Sequence, residues 1–322
     1  MEIKLLGTLT ANFAQHAWTP SAAKHRQVLA LLALRARRTV PVWELVDELW
    51  GDRPPRSAQA TLQTYLMQLR RGIAAAYGPD GAIRAKEVLA TAHGGYVLNA
   101  APGQVDALEH ESLVSAGLAA ARARDHRLTS ELLNQALALW RGDVLFDVPL
   151  GPVLQVEVLR LQESRLSAFE ICVAADLALG RGIEVLARLT ELTARYPLHE
   201  RFHLQLMLSQ YQAGRMWQAL ETYRRLHTRL VTELGLEPSE AVREAHQRML
   251  RGDSPQPSMV IGDLDWSMPI EVANAPLHRC GPTWHGEAPA PRHPAVSRGS
   301  RACADPVHTR SAHRQGDVTG SG

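Results

Sequence analysis

The chain has 322 residues, an apolar content of 45% and a net charge of +2, which are typical of a globular protein long enough for two domains. Its three cysteines are scattered and form no CxxC or disulfide framework. No apolar run reaches the roughly 18 residues that span a bilayer, and no signal-peptide pattern is expected at the start. These features exclude a disulfide-stabilised or membrane-spanning protein and favour a cytoplasmic location.

Charge is distributed unevenly along the chain. Residues 1–100 carry twelve Lys or Arg against seven Asp or Glu, whereas residues 101–250 carry sixteen against nineteen. A basic front and an acidic middle favour a nucleic-acid-binding head followed by a protein-contacting body.

The first hundred residues predict a small α+β unit that contains a helix-turn-helix. A strand is predicted over Glu2 to Leu9, and helices are predicted to begin at Ser21 and at Pro41. Gly51-Asp52 ends the second of these helices. A short turn to Arg56 then leads into a third helix.

The third predicted helix begins after Pro54-Pro55, with the hydroxyl of Ser57 as its expected cap. Apolar residues recur in it at spacings of three and four, namely Ala58, Leu62, Leu66, Leu69 and Ile73. The polar face has no carboxylate and consists of Arg56, Thr61, Thr64, Gln68 and Arg71. Such a face can bond to base edges and phosphates. We predict a recognition helix, although an ordinary surface helix would show the same stripe.

A β-hairpin is predicted next, because apolar and polar residues alternate from Ile83 to Thr91 and Gly94-Gly95 precedes Tyr96-Val97-Leu98. A hairpin in this position would be a wing. Its tip, around His93 and Gly94, would lie against the sugar-phosphate backbone or the minor groove. A plain hairpin that closes the small domain is equally consistent with the pattern.

Residues 103–251 predict an all-α domain. The helices are predicted over Ala107–Arg124, Arg127–Leu139, Gln155–Leu179 and, at the end, from Pro238-Ser239 to Leu250. Leu179-Gly180-Arg181 and Ala213-Gly214-Arg215 repeat at an interval of 34 residues, which is typical of tetratricopeptide repeats.

Residues 252–322 contain nine Pro, eight Gly and seven Ser. They show no sustained period, so this tail is predicted to be disordered. Its irregularly spaced His and Cys match no zinc module, and neither a metal nor another cofactor is expected.

Motifs of catalysis are absent from the sequence. There is no GxxxxGK[ST], no HExxH and no GxSxG, and the adjacent acids Asp47 and Glu48 are interpreted as solvated. We therefore do not expect an enzyme.

Several segments, taken in order, resemble the Streptomyces antibiotic regulatory protein family over about residues 1–250. They are Lys24–Leu32, Leu49–Pro55, Thr61–Tyr65, Leu69–Arg71 and Gly95–Leu98, followed by Ala136–Gly142, Pro197–Glu200, Ala219–Tyr223 and Glu233–Pro238. That family pairs an OmpR-type winged helix with a bacterial transcriptional activation domain. The chain departs from the pattern at Met67-Gln68, at Pro41 and over Ala82 to Val88.

The resemblance implies a mainly α fold with three parts, namely a winged helix-turn-helix at 1–100, a tetratricopeptide-like domain at 103–251 and the tail. It implies an activator of a secondary-metabolite gene cluster that binds direct repeats in double-stranded promoter DNA. RNA polymerase, a dimer or higher order on DNA and a nucleoid-associated location are also implied. A tetratricopeptide scaffold that does not bind DNA, or a repressor of the same DNA-binding class, remains an alternative.

Specific roles follow for the candidate DNA-binding residues. Thr61, Thr64 and Gln68 are predicted to face bases, and phosphates are assigned to Arg56, Arg70 and Arg71 with Lys24 and Arg53 behind them. Ser57, His93 and Gly94 complete the predicted site. Among these residues Arg70 is the one most expected to have a structural role instead of a DNA contact, because it lies beside the apolar stripe.

Overall fold

The computed structural model describes residues 1–14 and 16–253. Residues 254–322, and with them almost all of the tail that was predicted to be disordered and all of its His and Cys, lie outside the described residues. Within the described part no helix is long and apolar enough to cross a bilayer.

The N-terminal part is an α+β unit with two antiparallel three-stranded sheets, ordered β1-β2-β3 and β4-β6-β5. Ile3 pairs with Ala11 in the first sheet and Val40 with Tyr96 in the second. Its elements are β1 (Glu2–Lys4), β2 (Thr10–Phe13), β3 (His16–Ala17), α1 (Ala23–Leu34), β4 (Val40–Pro41), α2 (Val42–Trp50), α3 (Ala58–Tyr77), α4 (Gly81–Val88), β5 (Leu89–Ala92) and β6 (Gly95–Leu98).

The wing differs from its prediction in where it begins. Strand β5 begins only at Leu89, and the residues before it form helix α4 rather than a strand. Helix α4 lies so close to α3 that a Cβ on Gly81 would come within 1.9 Å of the Ala74 carbonyl oxygen. Ala85 of α4 is buried. This packing against α3 outweighs the short alternating pattern.

The rest of the described chain is helical. Its elements are α5 (Asp106–Arg122), α6 (His126–Ala138), α7 (Pro152–Ala178), α8 (Gly182–Arg195), α9 (Glu200–Gln212), α10 (Met216–Leu234) and α11 (Glu240–Arg251). The 34-residue interval corresponds to two helical hairpins, α7/α8 and α9/α10, which turn at Gly180 (φ +75°) and Gly214 (φ +71°). A third hairpin, α5/α6, turns at Arg124 (φ +58°).

Replacing Arg124 with glycine is expected to raise the free energy of unfolding by about 0.5–1 kcal/mol, because a left-handed backbone strains residues that have a Cβ. The matched control is Gly180→Ala, which should lower it by about 1 kcal/mol through the same backbone term. No atom lies within 4 Å of the added Cβ at Gly180. Urea unfolding measures both changes, and a loss of stability in Arg124→Gly would contradict the argument.

Two hydrophobic cores underlie the described chain. One contains the winged-helix residues and continues into the helical part through Trp140, Val144, Leu145, Leu154 and Leu161. The other is formed within the helical part, from Val114 to Met249. The winged helix and the first half of α7 therefore share one packed interior.

Buried carboxylates join the winged helix to the helical part. Glu48 on α2 accepts hydrogen bonds from the backbone amides of Gly151 (2.7 Å) and Leu154 (2.8 Å) at the start of α7. Asp106 accepts from the amides of Leu5 (2.6 Å) and Leu6 (3.1 Å). Burial raises the pKa of both carboxyl groups. The interpretation of Glu48 as solvated was therefore wrong.

Ion pairs reinforce this junction. Arg26 of α1 pairs with Asp147, and Arg35 pairs with Glu157 of α7 at 2.7 Å. Both arginines bind residues of the helical part instead of projecting into solvent.

Candidate nucleic-acid interface

Helix α3 presents a buried stripe and a polar face, as its spacing predicts. Its buried residues are Ala58, Leu62, Leu66, Leu69, Ile73 and Ala76, which confirms the predicted core. Thr61, Thr64, Gln68 and Arg71 lie on another side of the helix, since each follows the last by three or four residues. Thr64, Gln68 and Arg71 are exposed and Thr61 is half-buried.

The N-terminus of α3 is surrounded by exposed Arg53, Arg56 and Ser57. Ser57 occupies the cap position with φ −90° and ψ 10°, and its hydroxyl makes no capping bond. The predicted Ser57 cap is therefore wrong, because a capping side chain needs an extended backbone to turn towards the first amides. An uncapped helix N-terminus beside two arginines favours phosphate binding.

The polar side chains in the middle of α3 are already oriented. The Thr64 hydroxyl donates to the Ala60 carbonyl oxygen of its own helix at 3.0 Å, so it can offer a base only a lone pair or its methyl group. Gln68 Oε1 lies 2.5 Å from His25 Nε2 of α1. With its oxygen bound to that ring, the Gln68 amide nitrogen is the group left to donate.

His25 is a residue that the sequence reasoning did not select. Its ring lies 4.8 Å from that of Tyr65, which in turn stacks on Trp50 at 6.4 Å. This aromatic contact holds His25 beside the polar face of α3. No local pattern marks His25, because its partner Gln68 lies 43 residues later in the chain.

Arg70 connects α3 to the wing. Its Nε donates to the Leu89 carbonyl oxygen at 2.8 Å and its Nη2 to the Thr91 hydroxyl at 2.9 Å. The guanidinium also lies 5.8 Å from the centre of the Tyr96 ring. Arg70 therefore has the structural role that was its alternative interpretation, because it bonds α3 to the wing.

Because the adjacent arginines differ in environment, Arg70→Ala and Arg71→Ala should separate stability from DNA binding. Arg70→Ala is expected to lower the free energy of unfolding by about 1–2 kcal/mol, since it removes the two hydrogen bonds that the charged guanidinium donates to the wing. Arg71→Ala should change it by less than about 0.5 kcal/mol. Urea unfolding and a DNA titration of both variants measure this. Equal losses of stability would contradict the assignment.

Lys24 has a structural contact as well. Its ammonium donates to the Leu49 carbonyl oxygen at 2.5 Å, at the C-terminal end of α2. A cation there complements the helix dipole, so Lys24 is less available to a phosphate than Arg53 or Arg56.

The wing tip is a two-residue turn of His93 and Gly94, both exposed. Gly94 has φ +75°, and its carbonyl oxygen accepts from the Val42 amide at 3.1 Å. A Cβ on the next residue, Gly95, would come within 2.2 Å of the Val40 carbonyl oxygen. The turn is therefore held against the start of α2, and the His93 side chain remains exposed at the tip.

A helix-turn-helix whose third helix presents a cationic polar face, followed by a hairpin bonded to that helix, defines the winged-helix class of DNA-binding regulators. Residues 19–98 match the family described as "Transcriptional regulatory protein, C terminal", and residues 105–250 match "Bacterial transcriptional activator domain". The chain belongs to the Streptomyces antibiotic regulatory protein family. As a member, it is a DNA-binding transcriptional activator.

Individual relatives agree with this assignment. The chain is 46% identical over 253 residues to the regulatory protein DnrI of Streptomyces peucetius, covering 79% of this chain and 93% of that protein. It is 35% identical over 277 residues to the transcriptional regulator RedD of Streptomyces coelicolor, covering 86% and 77% respectively. A solved structure of Mycobacterium tuberculosis EmbR in complex with a low-affinity phosphopeptide matches with a TM-score of 0.73 and 31% identity, over 81% of this chain and 67% of that one.

Proposed function

We propose that this protein activates a secondary-metabolite gene cluster by seating α3 in the major groove of promoter direct repeats. The observation that carries the proposal is the exposed face of α3. It bears Thr64, Gln68 and Arg71 and no carboxylate. A helix of this kind enters a major groove and reads base edges there.

The contacts divide into reading and positioning. Thr61, Thr64 and Gln68 face the bases, and the exposed arginines Arg53, Arg56 and Arg71 bind phosphates together with the N-terminus of α3. At the wing, His93 and the Gly94 backbone approach the adjacent sugar-phosphate chain. Arg70 and Lys24 support DNA binding indirectly, because Arg70 holds the wing in place and Lys24 holds the end of α2.

One copy offers few contacts, so two or more copies bind adjacent repeats, and the bound assembly recruits RNA polymerase through the helical domain. The matched activator domain at residues 105–250 supports this part of the proposal. A cytoplasmic, nucleoid-associated location accompanies the role.

Fluorescence anisotropy with the full chain tests the proposal. Upstream fragments of its own gene neighbourhood are compared with random duplex at two salt concentrations. We expect specific binding at least about 1,000-fold tighter than non-specific binding, and a steep loss of affinity with salt. Equal affinity for all duplexes would leave a non-DNA scaffold as the surviving interpretation.

A promoter-reporter assay separates activation from repression. The full chain should raise expression from a promoter that it binds. A fall in expression would instead identify a repressor of the same DNA-binding class.

A further inference from the structure

A groove between α8 and α10 has no part in the DNA-binding site. It consists of two adjoining cavities of about 690 Å³ and 560 Å³. Both are lined by the same central residues, Thr190, Gln210, Glu221, Thr222 and Arg225. The groove is therefore long enough for an extended peptide rather than a single small molecule.

The lining of this groove combines positive charge with exposed apolar surface. Four arginines, Arg215, Arg224, Arg225 and Arg229, and two glutamates, Glu221 and Glu233, line the groove, which leaves two positive charges in excess. Arg225 is ion-paired with Glu221 at 2.9 Å and Arg229 with Glu233 at 3.3 Å. At one end Trp217 is 70% exposed and Ile183 is 68% exposed. Such a surface complements a ligand that is both acidic and apolar.

A buried histidine forms part of the groove lining. His203 is only 7% exposed, and its Nδ1 has no hydrogen-bond partner among the described residues. Its Nε2 lies 3.1 Å from the Pro197 carbonyl oxygen, and burial lowers the pKa of the ring. A neutral ring that donates through Nε2 leaves Nδ1 as an acceptor, but this atom is itself buried, so it is closed to a ligand in the groove.

One segment of the chain itself is both acidic and apolar. Residues 260–271 contain Asp263, Asp265 and Glu271 among apolar residues that include Trp266 and Ile270. No Lys or Arg occurs between Arg251 and Arg279. From residue 279 onward six arginines outnumber three acids, so only the earlier part of the tail complements the groove.

The segment is tethered within reach of the groove. Helix α11 packs on α10, with the His246 ring stacked on Tyr223 at 3.7 Å. Asp263 lies ten positions after Asp253 in the chain, a span of up to about 33 Å. The 19 residues of α10 extend over about 28 Å. A short tether also gives an effective concentration of the order of millimolar, so weak affinity suffices.

We propose that residues 260–271 dock in the α8/α10 groove of the same chain, with Asp263 and Asp265 facing Arg225 and Arg229. The groove of the free protein is then covered by its own tail. A protein partner that used the same groove would first displace this segment. The inference stands independently of which DNA the winged helix binds.

Photo-crosslinking of the full chain tests the docking. p-Benzoylphenylalanine placed at Met268, next to the acidic pair, should crosslink within one molecule to residues of α8 and α10, as mapped by mass spectrometry. Crosslinks to other surfaces, or none, would overturn the proposal. Crosslinks only between copies, detected by mixing isotope-labelled and unlabelled chains, would assign the groove to a second copy instead.

Charge reversal provides the control. Arg225→Glu with Arg229→Glu should reduce the crosslink yield about tenfold, as the reversal of two exposed charge pairs implies. Arg127→Glu with Arg248→Glu, which reverses two arginines outside the groove lining, should leave it unchanged. Asp263→Lys with Asp265→Lys alters only the tail and should give the same loss. Combining the groove and tail reversals should restore the crosslink, and a failure to restore it would contradict the pairing.

Discussion

Removing the side chains of Arg56 and Arg71 together is expected to weaken binding to promoter DNA about 100-fold, because each charged contact to phosphate is worth roughly 1.4 kcal/mol. Both side chains are exposed, Arg56 before the first turn of α3 and Arg71 in the second half of the helix. The loss should be similar for specific and random duplexes, since phosphates carry no sequence information. The slope of log K against log salt should fall by about 1.8.

Arg84→Ala with Lys86→Ala is the matched control. Both residues are exposed on α4 in the same domain, so the variant loses the same net charge without touching the α3 face. We expect its affinity to remain within about threefold of that of the unaltered chain, and its salt slope to remain the same, because these charges lie at a distance from the contact. A control variant that is as weak as the arginine variant would mean that general charge, not the face of α3, controls binding.

Glu48→Ala should lower the free energy of unfolding by about 4 kcal/mol. The carboxylate accepts from two backbone amides of α7 and from Gln27 Nε2 at 3.1 Å. Alanine leaves these buried donors without an acceptor, at roughly 1–3 kcal/mol each. The midpoint of urea unfolding measures the change. Asp47→Ala, the half-buried neighbour, should cost less than about 0.5 kcal/mol.

The pH dependence of stability provides a second test at the same residue. Burial raises the pKa of Glu48 above 4.5, its value in an unfolded chain. The folded protein therefore retains a proton that the unfolded chain releases, so this contribution is full below 4.5 and is lost as pH rises through the raised pKa. In Glu48→Gln the part of the fall in stability that is due to Glu48 should be absent. Parallel curves for the two proteins between pH ~4 and ~7 would contradict the assignment.

The parts of the structure that depend on local periods were predictable from the sequence. The stripe of α3, the hairpin turn at His93-Gly94 and the turns at Gly180 and Gly214 all depend on residues within one or two helical turns. The family resemblance then supplied the order of the domains. Their proposed limits at 1–100 and 103–251 stay a prediction.

The parts that depend on distant partners were not predictable. Glu48 resembles a surface acid until α7, some 103 residues later, provides the amides that it caps. The Gln68 amide meets His25, 43 residues earlier. Ser57 was misassigned for a local reason, since a residue's identity does not fix the backbone angles that a cap requires.

The interior shared by the winged helix and the start of α7 has a consequence for promoter architecture. A helical domain mounted on that core cannot swivel, so once α3 is seated it points to one side of the double helix. The direction in which this side faces turns through a full circle for about every 10.5 base pairs along the DNA. If the protein acts from promoter repeats as we propose, inserting about five base pairs between the repeats and the promoter should turn the domain away from the transcription machinery, and about ten should bring it back into phase.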